Sequence, residues 1–144
     1  MGTKGFGGFP PRADYSAVPT LLLTGMMSEI KDIAELKVTL YMVQAIYHKK
    51  GYPRFVTFGE LADDHVLLAG LEDGARAPAE ALRQAVDRAV ARGTLLRAKA
   101  GAQEYLVVND EAGRRALSRL AGATTAVPKA PTAGETPPAR PNIF

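Results

Sequence analysis

The residues equipped for chemistry are few. Asp63, Asp64 and His65 set two carboxylates and an imidazole in a row, donor types that a divalent metal accepts. Three consecutive positions do not converge from one helical face, however, and the set holds a single histidine. His48 stands beside Lys49 and Lys50 at what reads as a helix C-terminus, where the dipole favours a solvated cation. Glu29, Asp32 and Glu35 read as helix-start charges rather than an acid and base pair. Gly5-Phe6-Gly7-Gly8 lacks both a preceding strand and the Gly-Lys-Ser/Thr ending of a phosphate loop. No metal, no cofactor and no catalysed reaction are expected; the enzyme alternative is a metal site on Asp63, Asp64 and His65.

A second constellation is basic. The chain has 18 Lys and Arg against 15 Asp and Glu, a net charge of +3. Residues 79–99 hold a local excess of the same size. Gln84 and Arg88 lie four apart, so they stack on one helical face, and both have forked polar ends, a guanidinium of donors on Arg88 and an amide donor with its carbonyl acceptor on Gln84, that read base edges in a major groove. Arg83 and Arg92 flank that face, where phosphates would lie, and Arg97 and Lys99 extend the basic surface into the next segment. Glu80 and Asp87 work against it, and residues 100–103 add no Lys or Arg. DNA contact through Arg83, Gln84, Arg88, Arg92, Arg97 and Lys99 competes with a plain solvated face.

These side chains need elements to hold them. Pro78 and Gly93 bracket a helix over residues 79–92, with Leu82, Val86, Ala89 and Val90 toward the core and Ala81, Gln84, Arg88 and Ala91 free. Residues 94–99 and 104–108 read as a hairpin, and Asp110 caps a last helix ended by Gly122. Upstream, Thr20 caps a helix over residues 21–30. Asp32 caps a long one to about Lys50, whose first apolar stripe is Ile33, Leu36, Leu40, Val43 and Tyr47. Val38, Tyr41, Met42 and Ala45 form a second apolar face on that helix, so it must be buried on two sides. Between the long helix and residue 79, Arg54-Phe55-Val56-Thr57 reads as a short strand leading into a compact helical stretch at Leu61. The sequence thus predicts five helices and a mainly α fold with a small antiparallel β-sheet. Their order is that of a winged helix, a winged helix-turn-helix, with an extra N-terminal helix.

Composition sets the frame for these elements. The 144 residues suit one domain with tails: a flexible arm over 1–19, a folded unit over 20–121 and a Pro/Ala/Thr-rich linker over 122–144. The linker ends at Asn142-Ile143-Phe144, which reads as the start of a further, missing domain. The absence of Cys excludes disulfides, thiolate metal sites and a cysteine nucleophile, and points to a reducing cytoplasm. No apolar run approaches the roughly 20 residues that cross a bilayer, so no membrane partner is expected.

Several strings carry a resemblance. Val18-Pro19 precedes an apolar helix, Ile33-Ala34-Glu35-Leu36-Lys37-Val38-Thr39-Leu40 opens the long one, Gly51-Tyr52-Pro53-Arg54-Phe55 follows it, and Arg140-Pro141-Asn142-Ile143-Phe144 closes the chain. With the order of elements, these resemble the N-terminal domain of DnaD-like proteins, bacterial primosome components that help load the replicative helicase. The resemblance implies a domain that self-associates as a dimer or tetramer and docks replication-initiation and helicase-loading proteins, with DNA bound mainly by the C-terminal domain. It gives a use to the second face at Val38, Tyr41, Met42 and Ala45, and to Leu21, Leu22, Met26 and Met27, as self-association residues. Packing within one subunit is the competing use. The alternative function is a winged-helix transcription regulator reading an operator through Gln84 and Arg88.

Overall fold

The computed structural model describes residues 6–125. Its organising element is α2 (Ile33–His48), which starts where the Asp32 carboxylate accepts a hydrogen bond from the Glu35 amide at 3.0 Å. One face of α2 carries Ala34, Val38 and Met42 into the main core, against α5 (Pro78–Arg92). There Ala81, Ala85 and Ala89, spaced by one turn, are fully buried and let the two helices approach closely. Ala81 is therefore core, not part of a free face. Val38 and Met42 are fully buried too, so this part of the second apolar face of α2 meets the chain's own helix rather than another subunit, while Tyr41 and Ala45 are only half-buried. The first stripe divides instead. Leu36, Leu40 and Val43 pack on the N-terminal segment, while Ile33 and Tyr47 stay exposed.

That segment is two pieces rather than the single helix predicted over 21–30. α1 (Thr20–Thr24) follows Pro19, which provides no side-chain cap, and a 3-10 turn (Met26–Ser28) comes after Gly25. Glycine is the weakest helix former short of proline, and an uncapped five-residue helix has no means to run through it. Leu22 and Ile30 anchor the segment on Val43, with Val18, Met26, Leu36 and Leu40 around them. Ser16 Oγ also lies 3.0 Å from His48 Nε2, so the end of the N-terminal arm rests against α2.

The remaining elements follow their sequence signals closely. β1 (Val56–Thr57) leads into α3 (Phe58–Ala62), capped by Thr57, and Asp64 caps α4 (His65–Gly70). The compact stretch at Leu61 is thus α3, and a separate helix follows it. Gly93, at φ +98°, closes α5 in the left-handed conformation that glycine adopts without strain. β2 (Leu95–Ala100) pairs antiparallel with β3 (Gln103–Val108), leaving a two-residue turn at Gly101-Ala102. β1 pairs with the other edge of β3, giving the sheet order β1-β3-β2. The Asp110 carboxylate accepts from the Gly113 amide at 2.7 Å and opens α6 (Glu111–Thr125), which continues past Gly122. The architecture among the described residues is mainly helical, with six α-helices and a small open three-stranded antiparallel sheet. None of these helices is long and apolar enough to cross a membrane. Most of the expected linker and its Asn142-Ile143-Phe144 ending lie outside the described residues.

Candidate functional site

Of the basic residues on α5 and the hairpin, Arg83 and Arg97 come together, and they face carboxylates. Glu104, at the start of β3 and almost fully buried, accepts two hydrogen bonds from Arg83 at 2.9 and 2.8 Å and one from Arg97 at 2.9 Å. Asp87 closes the ring, with Arg83 at 3.0 Å and Arg97 at 2.8 Å. The Arg83 guanidinium also lies over the Phe58 ring, 4.1 Å from its centre. The hydrogen bond from Arg83 holds the Glu104 carboxyl down to about 2, with Arg97 adding to the effect. Asp87 is lowered chiefly by its bond from Arg97; Arg83 is raised by its bond to Glu104, and Arg97 by its bond to Asp87.

At the other end of α5 a second pair forms. Arg92 meets Glu35 with both faces of its fork, at 2.6 and 3.1 Å, and that carboxylate is only 1% exposed. The bond to Glu35 raises Arg92. A charge buried so deeply is tolerable only when paired and hydrogen-bonded, so Glu35 is a core ion-pair partner rather than a mere helix-start charge. Arg92 is thereby committed to joining α2 and α5.

The two base-reading candidates are also engaged. Gln84 accepts a short hydrogen bond from Arg76 and donates to Glu80 at 3.3 Å. Arg88 lies 3.3 Å from the Asp32 carboxylate, although half of its side chain remains exposed. Lys99 is exposed near the end of β2. Of the six residues predicted to contact DNA, Arg83, Arg92 and Arg97 are held by internal ion pairs, Gln84 is bracketed, and Arg88 and Lys99 keep the most freedom.

Asp64 and His65 sit at the start of α4, and Asp64 is occupied by structure. It caps Leu67 at 2.9 Å and accepts a short hydrogen bond from the Tyr41 phenol. That bond is the main reason its carboxyl is lowered; burial first, and then the same bond, pushes Tyr41 up to about 12. Among the described residues no three His, Asp or Glu side chains gather to hold a metal.

The residues expected to mediate self-association do not share one surface. Leu22, Val38 and Met42 are buried, and Tyr41 and Ala45 pack half-buried on the main core. Met26 and Met27 are half-buried. Leu21, by contrast, is 69% exposed, and its neighbour Leu23 is 49% exposed.

Comparison with protein-family profiles, with curated proteins and with solved structures finds no match to this chain.

One group of basic residues escaped the sequence reading. Arg114, Arg115 and Arg119 line an open groove on α6 with Tyr52, Glu111 and Ser118. The adjacent arginines with a third one turn further on were the available signal, masked by a segment charge of zero over residues 100–121.

Proposed function

We propose that this chain is a winged-helix module of the DnaD-like type, acting in replication initiation as a self-associating scaffold that docks partner proteins and catalyses no reaction. In this reading α3 to α5 form the helix-turn-helix, the β2–β3 hairpin is the wing and α1 is the extra N-terminal helix. The sheet order β1-β3-β2 supports it, because the strand before the helix-turn-helix closes on the hairpin. The strings at Val18-Pro19, in the first turns of α2 and at Gly51-Tyr52-Pro53 support the family.

The observation that carries the scaffold role is on α1. A five-residue helix does not hold itself in water, and Leu22 anchors this one while Leu21 and Leu23 face outward. A second copy of the chain is the occupant that would cover these leucines. The self-neutralised surface of α5 weighs against the operator-reading alternative, since a nucleic acid would have to displace Glu104, Asp87 and Glu35 from their arginines.

Sedimentation equilibrium of the chain over a wide concentration range tests the scaffold. The expected result is a reversible dimer or larger species, reduced to monomer by Leu21→Asp with Leu23→Asp, at unchanged helix content. A strictly monomeric unsubstituted chain at the highest concentration sinks the proposal.

A further inference from the structure

The arginines of α6 are unlike those of α5. Arg115 has the exposed Glu111 at 2.9 Å, a surface i,i+4 pair of little strength, and Arg114 donates to the neutral Asn109 at 3.0 Å. The Arg119 guanidinium lies over one face of the Tyr52 ring, 4.9 Å from its centre, so a base would stack on the other face or in place of Arg119. Arg115 and Arg119 are one turn apart, about 6 Å along the helix axis, and Arg114 and Ser118 form the neighbouring row. Glu111 is the one carboxylate among the described residues lining this groove.

Tyr52 adds a second kind of contact. Its ring is half exposed and borders a further groove, lined by Arg54, Ile46, Asp110 and the first turn of α6. Asp110 there is engaged as the α6 cap. The surface therefore runs from Arg119 through Arg115 and Arg114, past a half-exposed aromatic ring, to Arg54, whose guanidinium also donates to the Gly51 and Tyr47 carbonyls at 3.2 and 3.5 Å. Guanidinium groups offer forked donors to phosphate oxygens, and an accessible aromatic face offers a stacking platform. A row of cations with an aromatic ring among them matches a strand that carries phosphates and unpaired bases. Duplex DNA fits less well, since its base faces are covered by stacking. An acidic peptide would satisfy the arginines and leave Tyr52 without a use.

We propose that the groove between α6 and the Gly51–Pro53 loop, built from Arg114, Arg115, Arg119, Tyr52 and Arg54, binds single-stranded nucleic acid, with phosphates on the arginines and one base stacked on Tyr52. This site lies apart from the expected reading face of α5, and it stands without the self-association proposed above.

The test is a titration of a fluorescently labelled oligothymidylate with the full chain, followed by anisotropy at several salt concentrations. Binding is expected at low salt, weakening with a log–log slope of about −2, the value for roughly three phosphates neutralised on a single strand. Arg115→Glu with Arg119→Glu should abolish it. Tyr52→Ala should weaken it at least about fivefold, Tyr52→Phe should preserve it, and Arg88→Ala with Lys99→Ala should leave it unchanged. Circular dichroism melts of each variant separate a lost site from a lost fold. No binding at low salt would overturn the proposal. So would a Tyr52→Ala variant that binds normally, or equal affinity for a duplex or a poly-glutamate chain of the same charge.

Discussion

Glu104 is the side chain on which α5, β2 and β3 converge, because two arginines from two elements share its carboxylate. Its carboxyl titrates at about 2 rather than near the ordinary 4.5, so the folded chain binds fewer protons there than the unfolded chain. The stability it contributes is fully present above about pH 4.5 and is lost as the pH falls toward 2. Glu104→Gln should lower stability at neutral pH by about 2 kcal/mol, a figure discounted for the partial exposure of Arg83, and should flatten the acid loss between about pH 5 and pH 2. Asp87, lowered in the same cluster, keeps some slope. Urea unfolding at a series of pH values checks this, and an unchanged acid limb in the variant would contradict it. The long-range part of this pairing was not legible in the sequence. Arg83 and Asp87 stand at i,i+4 and their neighbourhood can be read, but Glu104 is 21 positions from Arg83, and only the closing of the hairpin on α5 brings them together. The same holds for Glu35 and Arg92, 57 positions apart. The sequence drew the basic residues of α5 and the hairpin as one surface, whereas Arg83 and Arg97 share carboxylates and Arg92 and Arg88 are tied to Glu35 and Asp32.

At the scale of elements, local signals carried far. Asp32 and Asp110 cap where they should, Gly93 ends α5, and the hairpin appears with its turn within a residue of the expected place, because each depends on neighbours in the chain. Both apolar faces of α2 could be read and both are packed, but which of them meets the main core was not legible, for the opposite reason. Apolar side chains surround this helix, so periodicity alone does not rank one stripe above another. The ranking comes from α5, whose alanine ridge has room for Val38 and Met42 but would leave voids against smaller residues. The start of α6 depends on fit of a similar kind. A Cβ built on Gly113 would stand 1.8 Å from the Val108 carbonyl oxygen, a backbone atom that cannot swing aside. Replacing a helical glycine by alanine ordinarily stabilises by about 1 kcal/mol. Here Gly113→Ala should instead destabilise by about 3 kcal/mol, because α6 must lift from the end of β3. Gly70→Ala, in open space near the end of α4, is the control and should be close to neutral or mildly stabilising. Denaturant midpoints for the two variants settle the comparison, and equal behaviour would show that the α6 start yields more easily than the packing implies.

For the molecule as a whole, the consequential feature is that α2 joins two cores of unequal size. The larger contains α5, the sheet and the short helices. The smaller is Leu22, Ile30 and Val43 with their half-buried neighbours. The N-terminal segment is held to the rest mainly through that smaller cluster, without a side-chain cap on α1, so its local opening should cost less than global unfolding. Leu22→Ala removes the central anchor, a truncation that costs about 2 to 3 kcal/mol at a buried leucine. The expected result in hydrogen exchange is faster exchange over residues 20–30, while the amides of α5 and β3 keep the protection of the unsubstituted chain. The variant should also lose self-association, because Leu21 and Leu23 keep their exposed places on either side of α1 only while Leu22 holds that helix on α2. Uniform loss of protection across α5, β3 and residues 20–30 would instead make the two clusters one cooperative unit. Loss of protection confined to residues 20–30 with self-association intact would place the contact between copies elsewhere, on the exposed Ile33 or on the apolar groove at Leu40, Tyr41 and Val66. The two readouts thus separate how α1 is held from what it is for.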